Sequence, residues 1–167
     1  SVHNHHNFAW REKHFGEDYW VVRKGCTPAF PDQYGFIGAN MMDFSVIVQG
    51  VNSELSKKAL YSTVHGAGRV MSRTQAAGKK KWLRDPISGK KSPKIISKGL
   101  VDFDEVKQAM KAANIELRGA GADEAPACYK KLSEVLGHMG ETVRVVERLK
   151  PIGVAMAGNG SFDPYKD

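Results

Sequence analysis

The sequence predicts an α+β fold, and three observations carry that expectation. Runs of β-branched and aromatic residues, "YWVVRKG" (19–25) and "SVIVQG" (45–50), read as strands. "FDEVKQAMKAA" (103–113) sets Phe103, Val106, Met110 and Ala113 at helical spacing. The two element types do not alternate regularly, as strands and crossover helices of a parallel sheet would.

Taken in order, residues 4–15 carry Phe8, Trp10 and His14 among polar neighbours and predict the start of a helix. The strand 19–25 closes on Gly25. "CTPAFPDQYG" (26–35) holds two prolines and reads as a loop. Residues 53–61 are irregular or one short helix. Arg69, Val70, Met71, Ala76 and Ala77 predict a helix that starts directly after the glycines at 66 and 68. "KKKWLRDPISGKKSPKIISKG" (79–99) has seven lysines and turn-forming Pro and Gly. Its lysines outnumber its apolar residues, so it cannot bury much surface and reads as a solvated, hairpin-like basic insertion. Asp102 is the N-cap candidate of the helix 103–113. "NIELRG" (114–119) is a strand, "ADEAPACYKKLSEVLGHM" (122–139) a turn into a helix, and 141–158 mostly extended. Residues 158–167 read as a tail. No internal repeat or domain boundary is visible, and 167 residues suit one domain with its own core.

The formal net charge of +7 and pI near 9.4 favour an anionic partner, nucleic acid being the commonest. A basic surface that is merely solvated would look the same. Cys26 and Cys128 lie far apart and outside any C-x-x-C spacing. This argues for reduced thiols and a cytoplasmic setting rather than a disulfide framework. No apolar run approaches ~18 residues, so no membrane segment is expected, and the N-terminal residues lack the apolar stretch of a signal peptide.

Chemistry concentrates in "STVHGAGRVMSRTQ" (62–75). Gly66, Ala67 and Gly68 let backbone approach a ligand closely. A helix beginning after Arg69 would offer its amide end to an anion, with Arg69 and Arg73 on one face to grip phosphate oxygens. His65 would then stand beside a phosphate, where a neutral ring nitrogen can attack phosphorus. A histidine that only hydrogen-bonds the phosphate, or one satisfied within the core, fits the local spacing too. Among "HNHHN" (3–7), His3, His5 and His6 are possible metal ligands. In "FIGANMMDFS" (36–45), Gly38 and Ala39 bring backbone close, and Asn40 and Ser45 offer polar edges; a plain turn into a strand would show the same pattern.

As a set, "HHNFAW", "VVRKG", "YGFIGANM" with Ser45 four residues on, "HGAGRVMSRT", "DEAPACYK" and "RLKPIGV" resemble the RtcB family of RNA-splicing ligases. The resemblance covers nearly all of the chain apart from the insertion and the tail. It implies GTP- and manganese-dependent joining of RNA 3′-phosphate or 2′,3′-cyclic phosphate ends to 5′-hydroxyl ends, in tRNA splicing or RNA repair, through a guanylylated histidine. His65 matches that nucleophile. His6 matches a manganese-binding histidine and Asn7 a nucleotide contact. Gly38, Ala39, Asn40 and Met41 fall on the guanosine loop, Ser45 on a guanine contact and Tyr129 on a tyrosine packed against the nucleotide. Gly66, Ala67 and Gly68 line the phosphate, and Arg23, Lys24, Arg69 and Arg73 match contacts to RNA ends and phosphates. The resemblance also implies that the chain is the C-terminal portion of a longer ligase, whose N-terminal half supplies the remaining metal ligands. Three departures stand out. Gly38-Ala39-Asn40 replaces the usual Pro-Gly-Ser, Met42-Asp43 replaces a small pair, and Met156 occupies the place of a guanine-contacting lysine. A charged contact of that kind is worth about 1.5–3 kcal/mol. A non-ligating nucleotide- or RNA-binding paralogue is the alternative reading.

Overall fold

In the computed structural model, which describes residues 1–158, β1 (Asn7–His14) is a strand paired antiparallel with β2 (Glu17–Lys24). The expected helix at 4–15 is therefore corrected. The inward positions of β1 alternate through Trp10, Glu12 and His14, a period of two that the charged Glu12 disguises. Glu12 is tolerated there because Arg23, fully buried on β2, meets both its carboxylate oxygens at 2.6 and 2.9 Å. The tail expected at 158–167 lies, beyond Gly158, outside the described residues.

The chain forms two compact units. The first comprises Ser1–Gly68 and Lys130–Pro151. Besides β1–β2 it holds β3 (Cys26–Pro28), inside the segment expected to be loop, and β4 (Tyr34–Ile37), which begins in that segment and runs two residues past it. β5 (Ser45–Gly50) lies where its sequence predicts, followed by α1 (Glu54–Lys58) and β6 (Ser62–Val64). Strand β3 pairs with β6. β5 is the middle strand of a three-stranded antiparallel sheet between β4 and a strand near the end of the chain, Val143–Leu149. Val46 and Val48 from β5 pack with Ile37, Ala67 and Leu132 into the core of this unit. Leu132 opens a short helix, Leu132–Gly137.

The second unit comprises Arg69–Tyr129 and residues from Ile152 onward. Helix α2 (Arg73–Ala77) starts four residues later than expected. Ser72 caps it: its hydroxyl accepts from Gln75 N–H while the Gln75 side chain accepts from Ser72 N–H, a capping box. Arg69, Val70 and Met71 precede the helix, so Arg69 and Arg73 do not share a helix face. Next come β7 (Gly78–Arg84) and β8 (Lys91–Lys98), an antiparallel hairpin that matches the basic insertion. α3 (Phe103–Ala112) is capped by Asp102, as its sequence predicts. β9 (Glu116–Ala120) is followed by two single 3-10 turns, Ala122–Glu124 and Pro126–Cys128. The short helix Leu132–Gly137 is α4 and the strand Val143–Leu149 is β10. The last strand, β11 (Gly153–Gly158), runs parallel to β9. Ala76, Ala125 and Cys128 are buried together in this unit. Mixed sheets with few helices make the fold α+β. Both cysteines are free. Among the described residues no helix is long and apolar enough to cross a membrane.

Candidate active site

His65 follows β6 at the surface of the first unit. Its ring is fixed by one bond: Nδ1 lies 2.6 Å from the carbonyl oxygen of Gly25. A carbonyl only accepts, so Nδ1 carries the hydrogen, and in the neutral ring Nε2 keeps the lone pair. Gly25 can turn its carbonyl this way because it follows β2 directly with φ +77°, the left-handed region that glycine enters without steric cost. The Gly25 N–H donates to the carbonyl of His6 at 3.0 Å. The two imidazoles lie nearly parallel, with centroids 4.9 Å apart. One glycine thus ties two of the expected site histidines together.

The backbone of His65 is held from the other side by Gly38. Gly38 N–H donates to His65 C=O at 3.2 Å, and Ala67 N–H donates to Gly38 C=O at 3.0 Å. A Cβ on Gly66 would come within 3.3 Å of that carbonyl. The small residue at 66 therefore serves backbone-to-backbone approach, and the Ala67 amide is already engaged. Gly68, with φ +77° and no neighbour within 4 Å of a Cβ, makes the turn that leaves this loop. Ala39, Asn40 and Met41 continue from Gly38. The Asn40 side-chain oxygen accepts from the N–H groups of Met42 and Asp43, both at 3.0 Å, which closes the loop. Asp43 in turn accepts from Leu132 N–H at 3.0 Å and stabilises the first turn of α4. The unusual Asp43 thus has a structural task. Met41 is buried, which leaves its backbone, not its side chain, for any ligand. Ser45 is half-buried at the start of β5. Asn7 and Lys24 pair across β1 and β2, adjacent in sequence to His6 and Gly25, and both are exposed.

Arg23 does not join them, and its expected phosphate role is corrected. It is fully buried. Its Nε donates to Ser62 Oγ at 2.9 Å, one terminal nitrogen donates to Glu12, and the other to Glu12 and Leu60 C=O. Burial pushes the Glu12 carboxyl up, but the bonds from Arg23 and then His14 outweigh it and hold Glu12 below its usual range.

Arg69, Arg73 and Tyr129 meet in the second unit. Arg69 donates to the Tyr129 hydroxyl at 2.8 Å, lies over that ring at 4.8 Å, and has a Glu124 oxygen 3.5 Å away. Arg73 sits 3.8 Å from Asp123 and 3.7 Å from Glu124. Two carboxylates therefore already balance the two arginines expected to grip phosphate. The Tyr129 hydroxyl donates to Glu124. Burial, reinforced by Glu124, pushes it up to about 12. Sequence reasoning missed Gly25, Glu12, Asp123 and Glu124. The signals were present in a glycine closing "VVRKG" and an acidic pair opening "DEAPACYK".

An exposed histidine with one ring nitrogen engaged by a carbonyl and the other left with its lone pair is the arrangement that a nucleophile or a metal ligand requires. Comparison with known proteins places the chain within a family. The model of tRNA-splicing ligase RtcB matches residues 1–157, and the chain belongs to that family. It is 33% identical over 150 residues to RNA-splicing ligase RtcB of Escherichia coli K12, an alignment covering 89% of this chain and 30% of that protein. It is also 33% identical over 171 residues to tRNA-splicing ligase RtcB of Methanopyrus kandleri, covering 89% and 16%. RNA-splicing ligase RtcB homolog 1 of Entamoeba histolytica is 32% identical over 170 residues, covering 88% and 28%. The chain spans less than a third of the length of each of these relatives.

Proposed function

We propose that these residues carry the nucleotidyl-transfer centre of a GTP- and manganese-dependent RNA ligase. Such an enzyme joins 3′-phosphate or 2′,3′-cyclic phosphate RNA ends to 5′-hydroxyl ends, as in tRNA splicing or RNA repair. The observation that supports it best is the bond from His65 Nδ1–H to the Gly25 carbonyl, which leaves Nε2 basic and accessible. In the proposed step Nε2 attacks the α-phosphorus of GTP. A P–N bond forms, the bond to the bridging oxygen breaks, and pyrophosphate leaves with that electron pair. The ring becomes cationic, Nδ1 keeps its proton, and the Gly25 carbonyl dipole stabilises the charge. GMP then passes to the RNA 3′-phosphate, and attack by the 5′-hydroxyl expels it. Asn7 and Lys24, both exposed and next in sequence to His6 and Gly25, are assigned to nucleotide and phosphate. Gly38 to Asn40 and Ser45 are assigned to the guanosine.

Manganese, when bound, would neutralise the triphosphate. Apart from His65, whose free nitrogen the proposed attack uses, only His6 among the assigned residues has a side chain suited to it. Among the described residues no three His, Cys, Asp or Glu side chains are placed to hold a metal. These residues alone do not make a metal site, and no step above runs through one. We assign the missing ligands to the N-terminal half of the same ligase. The test is transfer of label from α-labelled GTP to the complete ligase. An acid-labile adduct is expected in the wild type and none in His65→Ala. Full labelling of His65→Ala would overturn the assignment. His65 is exposed, so circular dichroism of the variant should be unchanged.

A further inference from the structure

The β7–β8 hairpin holds eight Lys and Arg residues against the single Asp85 between Gly78 and Lys98. That balance of +7 equals the formal charge of the entire chain, so the other residues sum to zero. The register also sets like charges opposite each other: Lys81 faces Lys94, and Arg84 faces Lys91. Directly opposed like charges destabilise an antiparallel pair, and a lone two-stranded ribbon is marginal to begin with. Every described side chain from Lys81 to Lys98 is exposed, so neither face of the ribbon is covered. Its turn is nonetheless well built. Asp85 accepts from Ile87 and Ser88 N–H at 2.7 and 2.8 Å, and Gly89 takes φ +69°.

The register puts Trp82, Arg84, Lys91 and Ile95 on one face. Trp82 and Ile95 are each 65% exposed. A large flat ring left in water beside cations is the arrangement that grips an unpaired nucleotide strand: cations follow the phosphates while a base stacks on the ring. A duplex would satisfy the cations and give Trp82 no base to stack on. We propose that this hairpin is a second nucleic-acid surface, separate in chemistry from His65, and that its ligand is single-stranded RNA. The proposal does not depend on the nucleotidyl-transfer reading.

The test measures anisotropy of a labelled 12-nucleotide oligouridylate against the protein, beside an RNA duplex of equal length and phosphatidylserine vesicles. The oligouridylate should bind more tightly than the duplex. If about five cations meet phosphates, its affinity should fall about a hundredfold between 50 and 200 mM salt. Trp82→Ala should weaken it about tenfold, and Trp82→Phe should restore most of that loss. Lys94→Glu gives Lys81 an opposite charge; it should slow amide exchange in the hairpin while weakening RNA binding. Equal affinity for single strand and duplex with no effect of Trp82→Ala overturns the proposal. So does binding to vesicles in place of RNA. In the complete ligase, Trp82→Ala should still take label from GTP, and His65→Ala should still bind the oligouridylate. Loss of either function alone therefore identifies which reading fails.

Discussion

Arg23 and Gly25 lie two residues apart, and their roles diverge completely. Arg23 has no exposed surface and donates four hydrogen bonds within its unit. Removing one partner of such a buried pair costs about 3–5 kcal/mol, because the other charge stays buried and unpaired. Arg23→Met is therefore expected to lower the unfolding free energy by about that amount, measured by urea denaturation. Native stability with a selective loss of RNA binding would refute the structural role. Glu12 adds a pH signature. Its folded pKa is depressed, so its contribution is present above the ordinary carboxylate value of 4.5 and is lost as pH falls through the folded value. The loss should be absent in Glu12→Gln. Gly25 shapes the site itself. An alanine there would hold φ +77° at a cost of about 1–2 kcal/mol, and its Cβ would stand 3.7 Å from His65 Cε1. Relaxation of the backbone would move the carbonyl that holds Nδ1. Gly25→Ala is expected to slow adduct formation about tenfold while lowering the melting midpoint by only a few degrees. An unchanged rate would show that the carbonyl does not orient His65.

At the scale of elements, what the sequence disclosed depended on whether inward positions were apolar. β5 and α3 were legible to within a residue because Val46, Val48 and Met110 mark their buried faces and Asp102 marks a helix start. β1 was not, since its inward face carries Glu12 and His14, and only the distant Arg23 makes that pattern affordable. α2 was displaced because Val70 and Met71 look helical in isolation, whereas the Ser72–Gln75 capping box sets the start. The His65 loop was legible as a motif. The acceptor that orients the ring was not, because Gly25 lies 40 residues away in the chain. The Arg69–Tyr129–Glu124 chain was invisible for the same reason and carries its own prediction. Tyr129 is held protonated up to about 12, so its contribution to stability is complete below the ordinary value near 10 and is lost as pH rises from there through 12. Absorbance at 295 nm should show a late tyrosinate transition that Tyr129→Phe removes. Persistence of that transition in the variant would assign it to another tyrosine.

For the whole molecule, charge and chemistry are unevenly distributed. The net charge resides in one exposed hairpin, and the strongest nucleophile candidate stands apart from it in sequence on a loop whose glycines are fixed by backbone bonds. The chain belongs to the RtcB family over residues 1–157 and spans about 30% of the Escherichia coli relative. The proposed reaction would use a metal. A catalytic cation needs about three protein ligands in fixed geometry. On the proposed reading His6 would be one, and the imidazole stacked on it at 4.9 Å is His65 itself. Using His65 as a second ligand would consume the lone pair that the proposed attack requires. His3 and His5 lie edge to face with centroids 4.6 Å apart near the start of the chain, and the described residues assemble no three-ligand group around them. Without a cation the triphosphate is neither neutralised nor oriented, and the leaving pyrophosphate is unstabilised. The 167 residues, supplied with GTP and manganese, are therefore expected to form no stoichiometric adduct. Adding a separately produced N-terminal half of a family member should restore labelling of His65 if the two parts dock. Stoichiometric labelling of the 167 residues alone would show that they complete the metal site by themselves, and the division of ligands between two halves would then be wrong.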